Sequence, residues 1–159
     1  MIITRTIEFA MGHRLQRHEG LCRHIHGHNY KVDVEVYANQ LDAQGMVIDF
    51  HDLKVEMEAV FKKYDHAFVV EADDPFGDIP RLLGEARGYD QSIGMDRLIK
   101  IGMPPTAECL AKHWMGELDA RIGNDDNMYV CSVTVHESST TSARYFSHVS
   151  LLSNRREVR

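Results

Sequence analysis

The stretch Cys22-Arg23-His24-Ile25-His26-Gly27-His28 concentrates reactive side chains, and His13 stands ahead of it in Phe9-Ala10-Met11-Gly12-His13-Arg14-Leu15. Neutral imidazole is a common ligand for zinc. In a strand, residues two apart point to the same face, so His26 and His28 can grip one ion, with Gly27 leaving room between them. A third imidazole would leave the fourth position of a tetrahedral zinc open, as in catalytic zinc sites. Cys22 reads as a thiolate of lowered pKa, as an ordinary small loop residue, or as a fourth, structural ligand that closes the site. Asp65-His66 forms a possible partnered acid/base pair, since an aspartate fixes the tautomer and orientation of a histidine. It reads equally well as a helix-terminal histidine interacting with the dipole.

These residues need elements to aim them. Ile3, Ile7, Phe9 and Met11 share the parity of His13, against Thr4, Thr6 and Glu8 on the other, which predicts a half-buried strand. Asn29 to Ala38 is the clearest strand, with Val32, Val34 and Val36 alternating with Lys31, Asp33 and Glu35. Counting back along the valine face leads to Tyr30, His28 and His26. Two adjacent strands therefore aim His13, His26 and His28 at one point. Leu15 to Ile25 between them is a charged loop whose bases become candidates for holding a phosphorylated substrate.

Asp49 caps a predicted amphipathic helix that runs to about Tyr64, through Phe50, Leu53, Met57, Val60 and Phe61. Glu71 to Pro105 is rich in glycine and proline and reads as a long irregular segment with a short helix near Ile79 to Ala86. Thr106 caps a second helix with a buried stripe of Ala107, Leu110, Ala111, Trp114, Leu118 and Ile122, ended by Gly123 to Asn127. Tyr129, Cys131, Val133 and Val135 mark a third strand, and Glu137 continues its apolar parity. A carboxylate there is costly without a partner. Arg144 to Val149 is the last strand. The order β-β-α-α-β-β predicts an α+β domain, a four-stranded antiparallel sheet with two helices on one face.

The 159 residues make one domain, 1–159, the sensible reading, with the long segment at about 71–105 as an insertion. A net charge of −6 gives no sign of nucleic acid or an anionic membrane as main partner. The three scattered cysteines do not suggest a disulfide framework, and Cys109 and Cys131 read as structural. With no signal-like opening and no apolar run fit to span a bilayer, the expected location is the cytoplasm. Asn154 to Arg159 reads as a frayed polar tail.

Taken in order, Phe9-x-x-x-His13-Arg14-Leu15, Cys22-x-x-x-His26-Gly27-His28, Val47-Ile48-Asp49-Phe50-x-x-Leu53-Lys54, Asp65-His66, Pro105-Thr106-Ala107-Glu108 and Val135-His136-Glu137 resemble the 6-pyruvoyl tetrahydropterin synthase family. Within it they are most similar to the 6-carboxy-tetrahydropterin synthases of queuosine and deazaguanine biosynthesis. The resemblance covers nearly the whole chain. It implies a tunnel fold (T-fold), in which sheets of three subunits close into a barrel and two trimers stack into a hexamer. It implies zinc on His13, His26 and His28, Cys22 as general base, and Asp65 with His66 as the acid/base pair. It implies Glu137 as the pterin anchor, aided by Thr106 and Glu108, with active sites between subunits. Arg14, Arg17, His18, Arg23 and His24 are the bases expected to hold a triphosphate. The implied substrate is the small molecule 7,8-dihydroneopterin triphosphate. Cleavage of its side chain with release of acetaldehyde gives the carboxy product, and elimination of triphosphate alone gives the pyruvoyl product. The rivals are a zinc-stabilised oligomeric binding protein without turnover, with Cys22 as fourth ligand, and a phosphate-binding regulator using the loop bases.

Overall fold

In the computed structural model, which describes residues 1–80, 82, 96–123 and 127–147, the site rests on a long hairpin. β1 (Ile2–His13) pairs antiparallel with β2 (His26–Ala38) along their whole length, from Ile2 opposite Tyr37 to His13 opposite His26. Exposure alternates along both strands as the sequence pattern predicts. β5 (Met128–His136) pairs antiparallel with β2, with Val135 opposite Val32 and a register shift at Glu35/Val36. β6 (Ser142–Phe146) closes that side against β5.

The two predicted helices are α1 (Phe50–Phe61) and α2 (Ala107–Ile122). Each is capped as expected, Asp49 accepting from the His51 amide and Thr106 from the Cys109 amide. Their apolar sides meet one sheet face in a core of Phe9, Met11, Tyr30, Val32, Val34, Val36, Leu53, Met57, Leu110, Trp114, Leu118, Val133 and Val135. Trp114 is fully buried, with ring centroids 5.2 Å from Phe61, 5.4 Å from Tyr64 and 5.8 Å from Phe9. Truncating such a residue costs about 3–5 kcal/mol. The other face of the sheet is polar: Thr6 donates to Asp33 at 2.6 Å, and His136 lies 2.9 Å from the same carboxylate.

The α+β class and the helices on one face are as expected, but the sheet is larger and mixed. Its order is β4-β3-β1-β2-β5-β6, where β3 (Ala67–Glu71) and β4 (Leu98–Ile101) add two strands to the four predicted. β3 runs parallel to β1, with Val69 beside His13, and β4 runs parallel to β3. The segment read as irregular from Glu71 to Pro105 thus contributes a strand. Ala67–Glu71 shows no alternation because Val69 and Val70, on opposite faces, are both buried. α1 also stops short of Tyr64. The Tyr64 amide bonds back to the Phe61 carbonyl at 2.9 Å, a tighter turn that ends the helix. The helix expected near Ile79 to Ala86, most of the turn Gly123 to Asn127, the end of the strand expected to reach Val149 and the tail from Asn154 fall mainly or wholly outside the described residues. Among the described residues no helix is long and apolar enough to cross a membrane.

Candidate metal centre and active site

Because His13 and His26 are direct partners in the β1–β2 ladder and His28 is two residues further along the same face, the three imidazoles converge. One ligand nitrogen from each lies within 4.8 Å of the others. Their ring centroids stand 4.5 Å apart for His13 and His26, and 5.2 Å apart for both other pairs. Between the ligands, Gly12 faces Gly27. A Cβ on Gly27 would stand 3.0 Å from the Met11 carbonyl oxygen and 3.3 Å from the Gly12 Cα, so a side chain here would press the two strands apart by a few tenths of an ångström.

Two of the rings have a fixed tautomer. His13 Nδ1–H donates to the Pro105 carbonyl at 2.7 Å, and His26 Nδ1–H donates to the His24 carbonyl at 2.8 Å. Both therefore offer a Nε2 lone pair to a cation. His13 is 2 % exposed, and burial, with His26 and His28 as further causes, lowers its pKa to about 4 against the hydrogen bond to Pro105. It is neutral at physiological pH, the form that binds metal. Three imidazoles at this spacing suit zinc, and Cys22 is not part of the cluster.

The histidines open onto a cavity of about 470 Å³ that Cys22, Thr106, Glu108 and Glu137 also line. Cys22 sits half-buried in a short 3₁₀ turn, Leu21–Arg23. Glu137 follows the end of β5 on the histidine face, its Oε1 3.9 Å from His13 Nε2. Tyr30, unassigned by the sequence reading, explains how that carboxylate is held. Its fully buried hydroxyl donates to Glu137 Oε1 at 3.4 Å and lies 3.3 Å from His13 Nε2. Burial first, then the charge of Glu137, pushes the phenol pKa far up, so Tyr30 stays protonated. The available signal was its place on the parity of His26 and His28.

Asp65 and His66 do not join this cavity within the chain. His66 lines a separate hollow with Gly12, His28, Phe68, Phe76 and Arg97. Its side chain is 75 % exposed. Asp65 Oδ1 accepts from His66 Nδ1–H at 2.8 Å and from the Ala10 amide at 3.3 Å, so the pair is ordered. His66 has φ 59°, a left-handed conformation costing roughly 1–2 kcal/mol for a residue with a Cβ. Its amide is tied to the Ala10 carbonyl at 2.7 Å.

The loop bases divide. Arg14 Nε stands 3.1 Å from the buried Asp74 carboxylate. Arg17 bridges Glu71 at 2.7 Å and Asp73 at 2.5 Å. His18 lines the cavity, while Arg23 and His24 are exposed beside it.

The family model for 6-pyruvoyl tetrahydropterin synthase matches residues 2–148. The chain belongs to this family. Among members of the 6-pyruvoyl tetrahydropterin synthase family, the chain is 32 % identical over 138 residues to the 6-carboxy-5,6,7,8-tetrahydropterin synthase of Rickettsia conorii, spanning 85 % of this chain and 92 % of the relative. It is 35 % identical over 142 residues to a probable 6-carboxy-5,6,7,8-tetrahydropterin synthase of Halobacterium salinarum, spanning 87 % and 82 %. Solved structures share the family fold. An uncharacterised protein of Wolinella succinogenes superposes with a TM-score of 0.79 at 24 % identity, over 93 % of this chain and 98 % of the other. The Caenorhabditis elegans 6-pyruvoyl tetrahydropterin synthase does so with 0.64 at 22 %, over 92 % and 95 %. The T-fold expected from the sequence is thus the fold of this chain.

Proposed function

We propose that this protein is a zinc-dependent pterin synthase that converts 7,8-dihydroneopterin triphosphate to 6-carboxy-5,6,7,8-tetrahydropterin, releasing acetaldehyde and triphosphate, as a step of queuosine or deazaguanine biosynthesis. The observation that carries this reading is the single cavity shared by the three clustered imidazoles, Cys22 and Glu137. The names of its relatives at 32 % and 35 % identity favour the carboxy product over the pyruvoyl one.

His13, His26 and His28 would hold zinc through Nε2 of the first two and a ring nitrogen of the third, as a cytoplasmic homohexamer or trimer assembles around them. When bound, zinc supplies Lewis-acid stabilisation for negative charge developing on a substrate side-chain oxygen. Cys22, on the cavity wall, would take a proton as thiolate. Glu137, steadied by the Tyr30 hydroxyl, would accept from the guanidine-like edge of the pterin, with Thr106 and Glu108 beside it. Asp65 would keep His66 Nδ1 protonated and its Nε2 ready for proton return. The outward aim of that pair fits service at a site completed by another copy. Arg23, His18 and His24 are the better placed bases for the triphosphate, since Arg14 and Arg17 already face carboxylates.

The test is incubation of the purified protein with zinc and 7,8-dihydroneopterin triphosphate, with mass analysis of the pterin and an acetaldehyde assay. The carboxy product with equimolar acetaldehyde is expected. The pyruvoyl product without acetaldehyde selects the elimination chemistry, and no turnover with bound zinc selects a binding protein.

A further inference from the structure

The loop that carries Cys22 is tied within itself by short turns, and to the rest of the fold by side chains at its start. It runs from Arg14 to Ile25, contains the 3₁₀ turn Leu21–Arg23, and exposes Leu21 and Ile25. Short turns bond within it, the His18 amide to the Leu15 carbonyl at 3.0 Å, the Gly20 amide to His18 Nδ1 at 2.9 Å and the His24 amide to the Leu21 carbonyl at 3.0 Å, and the Leu15 amide joins its two sides by donating to the Cys22 carbonyl at 2.8 Å. The residues flanking Leu15 all reach the same short acidic stretch. Arg14 meets Asp74. Gln16 Nε2 donates to Asp73 at 2.6 Å and to Glu71 at 3.2 Å. Arg17 bridges Glu71 and Asp73.

Glu71 ends β3, two residues beyond Val69, which pairs with His13. A strand advances about 3.3 Å per residue, so the acidic stretch is fixed about 7 Å from the register of a histidine of the cluster. Asp74 is itself anchored: its Oδ1 accepts from the Phe76 amide at 2.9 Å and caps the turn Pro75–Asp78. Arg14 lies over the Phe76 ring, 5.8 Å from its centroid.

We propose that Gln16 and Arg17, clamped on Glu71 and Asp73, and Arg14, paired with Asp74, are positioning residues that hold Cys22 at a set place against the histidine cluster. The arginine pairs, which by residue type alone suit phosphate, are then part of the frame, and the start of the inserted segment is its other half. The inference rests on the reading of Cys22 as the proton-transferring base, and its test is built to fail separately.

The surface part of the clamp can be removed without touching the buried Asp74. In Glu71→Gln/Asp73→Asn, the iodoacetamide reactivity of Cys22, followed by peptide mass analysis to separate it from Cys109, is compared with the parent at alkaline plateau. Loosening should speed alkylation about twofold to fivefold for each exposed pair lost, the population factor such pairs supply. With the dihydroneopterin substrate, kcat should fall about tenfold with KM unchanged, inside the range of about 100-fold that a 1 Å misplacement can cost. Zinc content should match the parent, Tm should fall by no more than a few degrees, and Asp73→Glu alone should leave both rates at the parental level. Raising salt from about 0.1 M to 1 M, which shortens the screening length from about 10 Å to 3 Å, should move the parent toward the double variant and leave the variant unchanged. Unaltered alkylation overturns the proposal, as does a change matched by loss of zinc or by a fall in Tm beyond about 10 °C, more than the lost pairs account for. If Cys22→Ala turns over at the parental rate, the assignment of the base fails, and the alkylation comparison still decides whether the clamp holds the loop.

Discussion

His13 stands directly opposite His26 across the β1–β2 pair, ring centroids 4.5 Å apart, and each donates Nδ1–H to a backbone carbonyl outside the ladder. The cluster is therefore fixed by main chain on both sides, and each ring should contribute to metal affinity. His13→Ala and His28→Ala should each weaken zinc binding by more than the roughly 10–100-fold typical of losing an outer-shell partner. Competition with a chromophoric chelator measures this, and parental affinity in either variant would remove that histidine from the site.

Glu137 is predicted to act on substrate recognition rather than on metal. Glu137→Gln keeps the side-chain volume and one acceptor but loses the charge that, on the proposed reading, would face the pterin edge. A charge-assisted bond is about twice as strong as a neutral one, so kcat/KM should fall at least about tenfold while zinc stoichiometry stays the same. Tyr30→Phe should show a weaker form of the same phenotype, because its hydroxyl only steadies the carboxylate.

If His66 serves a cavity completed by another copy, two inactive variants should rescue each other. Cys22→Ala and His66→Ala are each expected to be nearly inactive. Mixed, unfolded and reassembled together, they should regain activity up to about one quarter of the parental level, since random pairing leaves that share of sites with both groups intact. Mixtures that stay as inactive as their components would place both groups of each site on one chain.

Asp119 on α2 sets a pH dependence that is independent of the site. Burial raises its carboxyl pKa to about 6, against the lowering effect of the Val130 backbone. Folded, it holds its proton more tightly than unfolded. The stabilisation it provides is therefore complete below the ordinary aspartate range near 4 and lost as pH rises through 6. Asp119→Asn should raise Tm relative to the parent at pH 7.5 and lose that advantage at pH 4. Thermal unfolding at the two pH values checks the sign.

Much of the site was readable from strand parity. Phe9, Met11 and His13 on one strand, and His26 to Val36 on the other, needed only the period of two to be placed on one face. Glu137 was found the same way, as a carboxylate where an apolar residue belonged. What stayed hidden depends on partners distant in sequence. β3 and β4 pair parallel, and the buried Ala67–Glu71 run carries no periodic signal. Arg14 and Arg17 looked like phosphate ligands because side-chain chemistry is the same toward a phosphate and toward Asp74, Glu71 and Asp73, and only the fold chooses between them. The Pro105 carbonyl is a backbone group that no residue type announces.

The facing pair Gly12 and Gly27 has a consequence for how this protein can diverge. At the point where the two halves of the ligand set meet, the spacing between strands is set by bare main chain. Substitutions that spare this crossing and the Pro105 and His24 carbonyls can remodel other loops and the outer helices without altering the spacing of His13 and His26. Chemistry built across such a crossing is insulated from drift in the rest of the chain, provided that these two positions never acquire a side chain.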